Sequence, residues 1–161
     1  MRFRAAEQGD WPALWPIWND VVAAGETYVW RPRTEYEEAR TLWMLPPPAE
    51  VFVLEDDEGI RATAVLKPNQ PGLGDHVANA SFMVDAGARR RGVGRCLAEH
   101  VLDRARASGY RAMQFNAVVA TNAAAIQLWR SLGFATIGTV PDGFRHARLG
   151  LVDLLVMHRS L

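Results

Sequence analysis

The chain has 161 residues, enough for a single domain with a sizeable core. Its composition is 49% hydrophobic and 22% charged, as in ordinary soluble domains, and Lys+Arg equals Asp+Glu at 18 each, so zero net charge argues against a general nucleic-acid binder. The one cysteine, Cys96, allows no internal disulfide and fits a reducing cytoplasm; no apolar run nears the ~18 residues of a membrane span, and the scattered histidines show no metal-ligand spacing.

Phe3 to Ala5 reads as a first strand. Asp10 reads as the N-cap of a helix to about Ala24, with Pro12 in its first turn. Pro16 predicts a late start or a kink, because an interior proline removes a hydrogen bond. Trp11, Trp15 and Trp18 fall at helical spacing and read as a core stripe. The loop GETYVWRP follows, rich in aromatic residues, and Thr34 is expected to cap a second helix to about Leu45. Glu50 to Asp56 and Ile60 to Lys67 read as a hairpin, and His76 to Val84 as a longer strand. A helix is expected from Gly92 or Val93 to about Ser108, with Val93, Leu97, Val101 and Ala105 on one face. Arg111 to Val119 reads as a strand that alternates Met113, Phe115 and Ala117 against Gln114 and Asn116. Thr121 is expected to cap a helix to Leu132. Strands at 134–140 and 149–157 close the chain, joined by the loop PDGFRHAR. Strand, helix and strand at 76–119 make a βαβ unit, whose two strands are expected to be parallel neighbours.

The segment VDAGARRRGVGRCL concentrates charge and glycine where that third helix begins. Helix N-termini carry free N–H groups and a partial positive charge, so an anion is stabilised there. Glycine lets the backbone approach it, and arginine adds a planar donor fork suited to phosphate. A Walker A loop would need Gly-Lys-Ser/Thr, and the one lysine, Lys67, lies elsewhere. A dinucleotide fingerprint would need a glycine at position 97, which is Leu97. A solvated basic turn stays open beside the phosphate cradle.

Arg89-Arg90-Arg91-Gly92-Val93-Gly94 resembles the Q/R-x-x-G-x-G/A element of the GCN5-related N-acetyltransferase family. Asn122 and IQLWRSLGF, Ile126 to Phe134, resemble that family's following N…A-x-x-L-Y-x-x-x-G-F element. The resemblance implies an α/β (α+β) fold over 1–161, a single acetyltransferase domain. It would have a mixed, splayed central sheet of about seven strands with about four helices. It implies acetyl-CoA as donor. The backbone of Phe82, Met83 and Val84 would pair with the pantetheine arm, and a backbone N–H near Met83 or Val84 would face the developing oxyanion. Arg89, Arg90, Arg91, Gly92, Val93, Gly94 and Arg95 would form the pyrophosphate cradle, and Asn122 would bond the arm near the thioester. Two departures stand out. The family's thiol-protonating tyrosine falls at Trp129, and a base used by some members falls at Ala117.

Candidate catalytic residues are therefore Glu26, as base or ammonium anchor, and Asn79 and Asn116, as groups orienting an amine or a water relay. Tyr28, Trp30 and Phe144 are candidate walls of an acceptor pocket, and Arg145 and His146 could meet a substrate carboxylate. The stretch from Phe115 to His146 further resembles a branch acting on small amino and imino acids, which points to a small-molecule amine. A homodimer is compatible with the family. A non-catalytic acyl-CoA sensor, a protein or peptide N-acetyltransferase and an arginine-run nucleic-acid binder stand as alternatives.

Overall fold

The structure, a computed structural model, describes residues 1–89 and 91–161; the candidate cradle residue Arg90 lies outside the described residues. Strands β1 (Arg2–Ala5), β2 (Glu50–Asp56), β3 (Gly59–Pro68), β4 (Val77–Val84), β5 (Ala112–Val119), β6 (Ala135–His146) and β7 (Gly150–Ser160) form one sheet in the order β1-β2-β3-β4-β5-β7-β6. Helices α1 (Trp11–Ala23) and α2 (Tyr36–Trp43) cover one face, and α3 (Val93–Ala107) and α4 (Ala123–Ser131) the other. The alternation of β2 explains both layers: Phe52 and Leu54 pack with α3, while Val51 and Val53 pack with α1 and α2. No helix is long and apolar enough to cross a membrane, among the described residues.

Every neighbouring strand pair is antiparallel except β4 and β5, the parallel pair joined by α3. That pair holds only at Val77↔Ala112 and Ala78↔Met113. Beyond Ala78 the two strands separate, and a cleft opens in the middle of the sheet.

Several local expectations need correction. Helix α1 begins at Trp11 and runs through Pro16 without starting late; Pro16 is exposed, so the bond its ring removes falls on the solvent side. Asp10 makes no side-chain cap. Its carboxylate instead accepts from the Glu7 N–H at 2.7 Å and takes the fork of Arg4, at 2.7 and 2.9 Å. Thr34 does not cap α2; its hydroxyl donates to the Arg31 carbonyl, and Glu35 stands at the cap position. Asn122, not Thr121, caps α4, its Oδ1 accepting from the Ala125 N–H at 3.2 Å. The expected loop at 141–148 is largely strand, because β6 continues to His146 with a register shift between Val140 and Phe144.

Arg4 also bonds Glu55, at 3.0 and 2.8 Å, and so ties β1 to both β2 and the start of α1. These hydrogen bonds hold the Asp10 and Glu55 carboxyls below the usual carboxylate range. A depressed folded pKa stabilises the fold above the unfolded value and stops doing so as pH falls. The thermal midpoint is therefore expected to drop as pH falls below about 4.5. Arg4→Gln should lower the midpoint at pH 7 and flatten that acid slope, which thermal melts of both proteins across pH will show.

Candidate active site

The cleft has a volume of about 720 Å³ and four walls. The end of α1 and the loop carrying Glu26, Tyr28 and Trp30 form the first, β4 from Asn79 to Val84 the second, β5 from Phe115 to Val119 the third, and the first turns of α3 and α4 the last.

Backbone direction along β4 decides which groups face this space. The Val77 carbonyl accepts from the Asn69 N–H, and the Asp85 N–H donates to the Arg61 carbonyl, both on the β3 side. In an antiparallel ladder the residues between, Ala78, Ala80, Phe82 and Val84, turn their N–H and C=O the other way. Past Ala78 that direction is the cleft. Met83 therefore faces β3, paired at Thr63, so of the three residues expected to meet a bound arm only Phe82 and Val84 turn their backbone groups toward the cleft. The Met83 side chain is buried beneath the α1 and α2 layer.

Helix α3 opens into the same cleft. Gly92 takes φ +76°, a left-handed conformation open to glycine at little cost, and supplies no side-chain cap. The first bond into the helix runs from Cys96 N–H to the Gly92 carbonyl. The N–H groups of Val93, Gly94 and Arg95 thus have no partner within the helix. A Cβ at Gly94 would make ordinary contact with Val84 Cγ2 at 3.6 Å and Leu128 Cδ2 at 3.9 Å, two side chains that line the cleft with it. Arg89 lines the cleft and Arg91 is exposed beside it. The Arg95 side chain turns to α4, bonding Ser131 Oγ at 2.5 Å.

At the sheet's parting point four neutral amides meet. Asn79 Nδ2 donates to the Gln114 carbonyl at 3.1 Å and to Asn69 Oδ1 at 3.2 Å; Asn116 Nδ2 donates to the same Asn69 oxygen at 2.7 Å. Gln114 Nε2 completes the group on Asn116 Oδ1 at 3.0 Å. The structure thus brings Asn79 and Asn116 together and adds Asn69, from a Pro-Gly loop that carries no chemical signal of its own. A register shift between Phe115 and Val118 breaks the expected alternation of β5, so Ala117 is exposed with Asn116 instead of buried with Phe115.

Glu26 lines the cleft and pairs with Arg148 at 2.5 Å. Among the described lining residues it is the one carboxylate. Arg148 lies in the turn after β6, and Ala147 N–H bonds the Gly25 carbonyl at 2.9 Å, so this turn clasps the loop that carries Glu26. The sequence offered no sign of that clasp. Tyr28 and Trp30 stack at 5.0 Å with 4° between planes. The Tyr28 hydroxyl donates to the Phe82 carbonyl at 2.8 Å and accepts from the Phe82 N–H at 2.9 Å. Burial of that hydroxyl pushes the phenol well above its ordinary range, although the residue as a whole is only partly buried.

Phe144 is not a wall of this cleft. It is 6% exposed and packs with Val119, Leu154 and Val152 in a small separate cluster. His146 is buried beside it, accepting the Arg148 N–H on Nδ1, and neither it nor Arg145 lines the cleft. Trp129 packs on Phe82 and Phe115 at 4.9 and 4.7 Å, as part of the cleft floor.

An open strand edge leading to an uncapped glycine helix start is the apparatus of a protein that binds an extended chain ending in phosphate. The chain belongs to the acetyltransferase (GNAT) family, whose model matches residues 11–134. A curated relative, N-acetyltransferase aca1 of Schizosaccharomyces pombe, is 40% identical over 92 residues, a match spanning 56% of this chain and 44% of that protein. The solved structure of a GCN5-related N-acetyltransferase from Kribbella flavida is 51% identical, with a TM-score of 0.94, 99% of this chain covered and 97% of the other. The structure of yncA from Salmonella typhimurium, with its cofactor acetyl-CoA, is 26% identical at a TM-score of 0.81, covering 100% and 94%. The mixed seven-stranded sheet with its splay is the family's fold.

Proposed function

We propose that this protein transfers the acetyl group of acetyl-CoA to the amine of a small substrate, of the amino- or imino-acid class, by direct attack in a ternary complex. The observation that carries this reading is the single cleft that joins the open β4 edge, the uncapped start of α3 and the loop bearing Glu26. The donor's two ends match it. A diphosphate suits the N–H groups of Val93, Gly94 and Arg95, with the positive charge of Arg89 and Arg91 beside them. An extended amide arm suits the Val84 edge and the Nδ2 of Asn122, which has no hydrogen-bond partner among the described residues while Oδ1 serves as a cap. Acetyl-CoA supplies an activated thioester, and the chain's task is to align an amine with it.

Alkyl amines are protonated near neutral pH and must lose a proton to attack. Glu26 is suited to draw the ammonium into the cleft and to receive its proton through water. The Asn69, Asn79, Gln114 and Asn116 amides do not titrate, so their part is to orient the amine or that water. Trp129 offers an indole N–H, which donates hydrogen bonds and is not a usable acid.

A panel of amino acids, imino acids and plain amines, offered with acetyl-CoA and a thiol reagent, tests the reading. Amine-dependent release of CoA is expected; tight acetyl-CoA binding with no such release would instead make the protein a sensor. Glu26→Gln is expected to raise KM for the amine roughly 10-fold or more, the worth of a charged hydrogen bond. A fall confined to kcat would move Glu26 from anchor to proton acceptor.

A further inference from the structure

The Tyr28 hydroxyl holds a place on β4 that the rest of the sheet leaves empty. Past Ala78 no β5 residue pairs with β4, so the backbone groups of Ala80, Phe82 and Val84 open to the cleft. At Phe82 alone a side chain takes both: the phenolic oxygen accepts from its N–H and the O–H donates to its carbonyl. The ring does not depend on these bonds for its position. It lies flat on Trp30 and meets Trp43 edge-on at 6.2 Å and 77°. Phenylalanine would fill the same slot.

The order of groups along the cleft gives the contact meaning. Val84 lies against Gly94, at the mouth of the α3 amides. An arm leaving those amides passes Val84 first and Phe82 next, with Asn79 and Asn116 farther along. Its thioester end therefore arrives at the Phe82 N–H and carbonyl that Tyr28 occupies.

Resting on the acetyl-CoA reading above, we propose that the Tyr28 hydroxyl is an internal stand-in for the thioester carbonyl, a positioning residue that occupies the Phe82 N–H and, by a tilt of its ring within the aromatic stack, yields it when an acyl group binds. The exchange trades one oxygen acceptor for another, so the carbonyl adds little to ground-state affinity. The N–H then meets an oxygen whose negative charge grows during transfer, where a hydrogen bond strengthens and accelerates the reaction. Tyr28 in this way keeps a donor aligned without letting it tighten the resting complex.

Calorimetry of wild type and Tyr28→Phe with acetyl-CoA and with unacylated CoA tests this. Wild type is expected to bind the two within about twofold. Tyr28→Phe should leave CoA affinity unchanged and bind acetyl-CoA about twofold to tenfold tighter, the range of one exchanged hydrogen bond. An unchanged ratio of the two affinities overturns the proposal. Failure of wild type to bind either ligand overturns the coenzyme reading instead. Should Tyr28→Phe not fold, the amide resonance of Phe82 in wild type decides: it should shift with acetyl-CoA and stay nearly still with CoA, and equal shifts reject the role.

Discussion

Gly92→Glu is expected to weaken CoA binding on the order of 100-fold in a protein that stays folded. Three effects act together. The backbone there has φ +76°, which any residue with a Cβ adopts only under strain. The new carboxylate would sit at a helix start where the first-turn N–H groups have no partner within the helix, and would compete for them. It would also face a diphosphate, and like charges a few ångströms apart at a protein surface repel by several kcal/mol. The space around a Gly92 Cβ is empty, with nothing within 4 Å, so steric clash inside the fold is no part of the effect. Gly109 gives the matching control. It follows the other end of α3 at φ +85°, also with nothing within 4 Å of a Cβ. Gly109→Glu carries the same backbone strain and should leave CoA affinity within about twofold, since the anion site is a helix length away. Equal losses in both variants would show that strain alone, and not the first-turn amides of α3, sets coenzyme affinity.

The elements that could be read from sequence were those whose signals are local and periodic. Strand β2 falls at Glu50–Asp56 as expected, because its apolar run is bounded by turn residues on both sides. Helix α3 falls at Val93–Ala107 because Gly92, the four-residue apolar spacing and Gly109 all mark it. The caps were misread for one physical reason. A Ser, Thr, Asp or Asn before a helix has several possible partners, and tertiary contacts choose among them. Asp10 went to Arg4 of β1, and Thr34 went to a carbonyl three residues back. The long β6 was hidden because Pro141, Asp142 and Gly143 read as a turn. They lie at a register shift within a strand that keeps pairing with β7 on either side.

The two halves of the proposed site differ in range. Gly92, Gly94 and the flanking arginines lie together in the chain, so a motif resemblance can point to them. The acceptor side is assembled across the fold. Glu26 meets Arg148, Asn79 meets Asn69 and Gln114, and Tyr28 meets Phe82 over 54 residues of sequence. None of these pairs is visible until the sheet parts. Phe144 shows the converse error: an aromatic residue in a polar segment looked like a pocket wall, and packs instead with Val119 of β5 and Val152 and Leu154 of β7.

Trp18→Ala is expected to cost about 3–5 kcal/mol, the range for removing a buried aromatic, and so to remove a large part of the fold's total stability. Trp18 is 1% exposed. It stacks between Trp15, at 5.9 Å and 16°, and Trp30, at 5.5 Å and 28°. Trp30 in turn stacks on Tyr28 and meets Trp43 edge-on, and Trp43 Nε1 donates to the buried Thr63 hydroxyl at 3.0 Å. The Trp18 Nε1 has no hydrogen-bond partner among the described residues, so its truncation forfeits packing and leaves no polar partner behind. The aromatic chain from α1 to Tyr28 is what orders the cleft loop, which has no secondary structure of its own to do so. The deletion should therefore act on function as well as stability. At a temperature where the variant is still folded, KM for the amine should rise through the loosened Glu26 loop, while CoA affinity, which the proposed site assigns to α3 on the opposite face, should hold. Chemical denaturation gives the stability loss and calorimetry with CoA the second comparison. A variant that loses CoA affinity in parallel with amine affinity would mean that the two halves of the cleft are not independently supported.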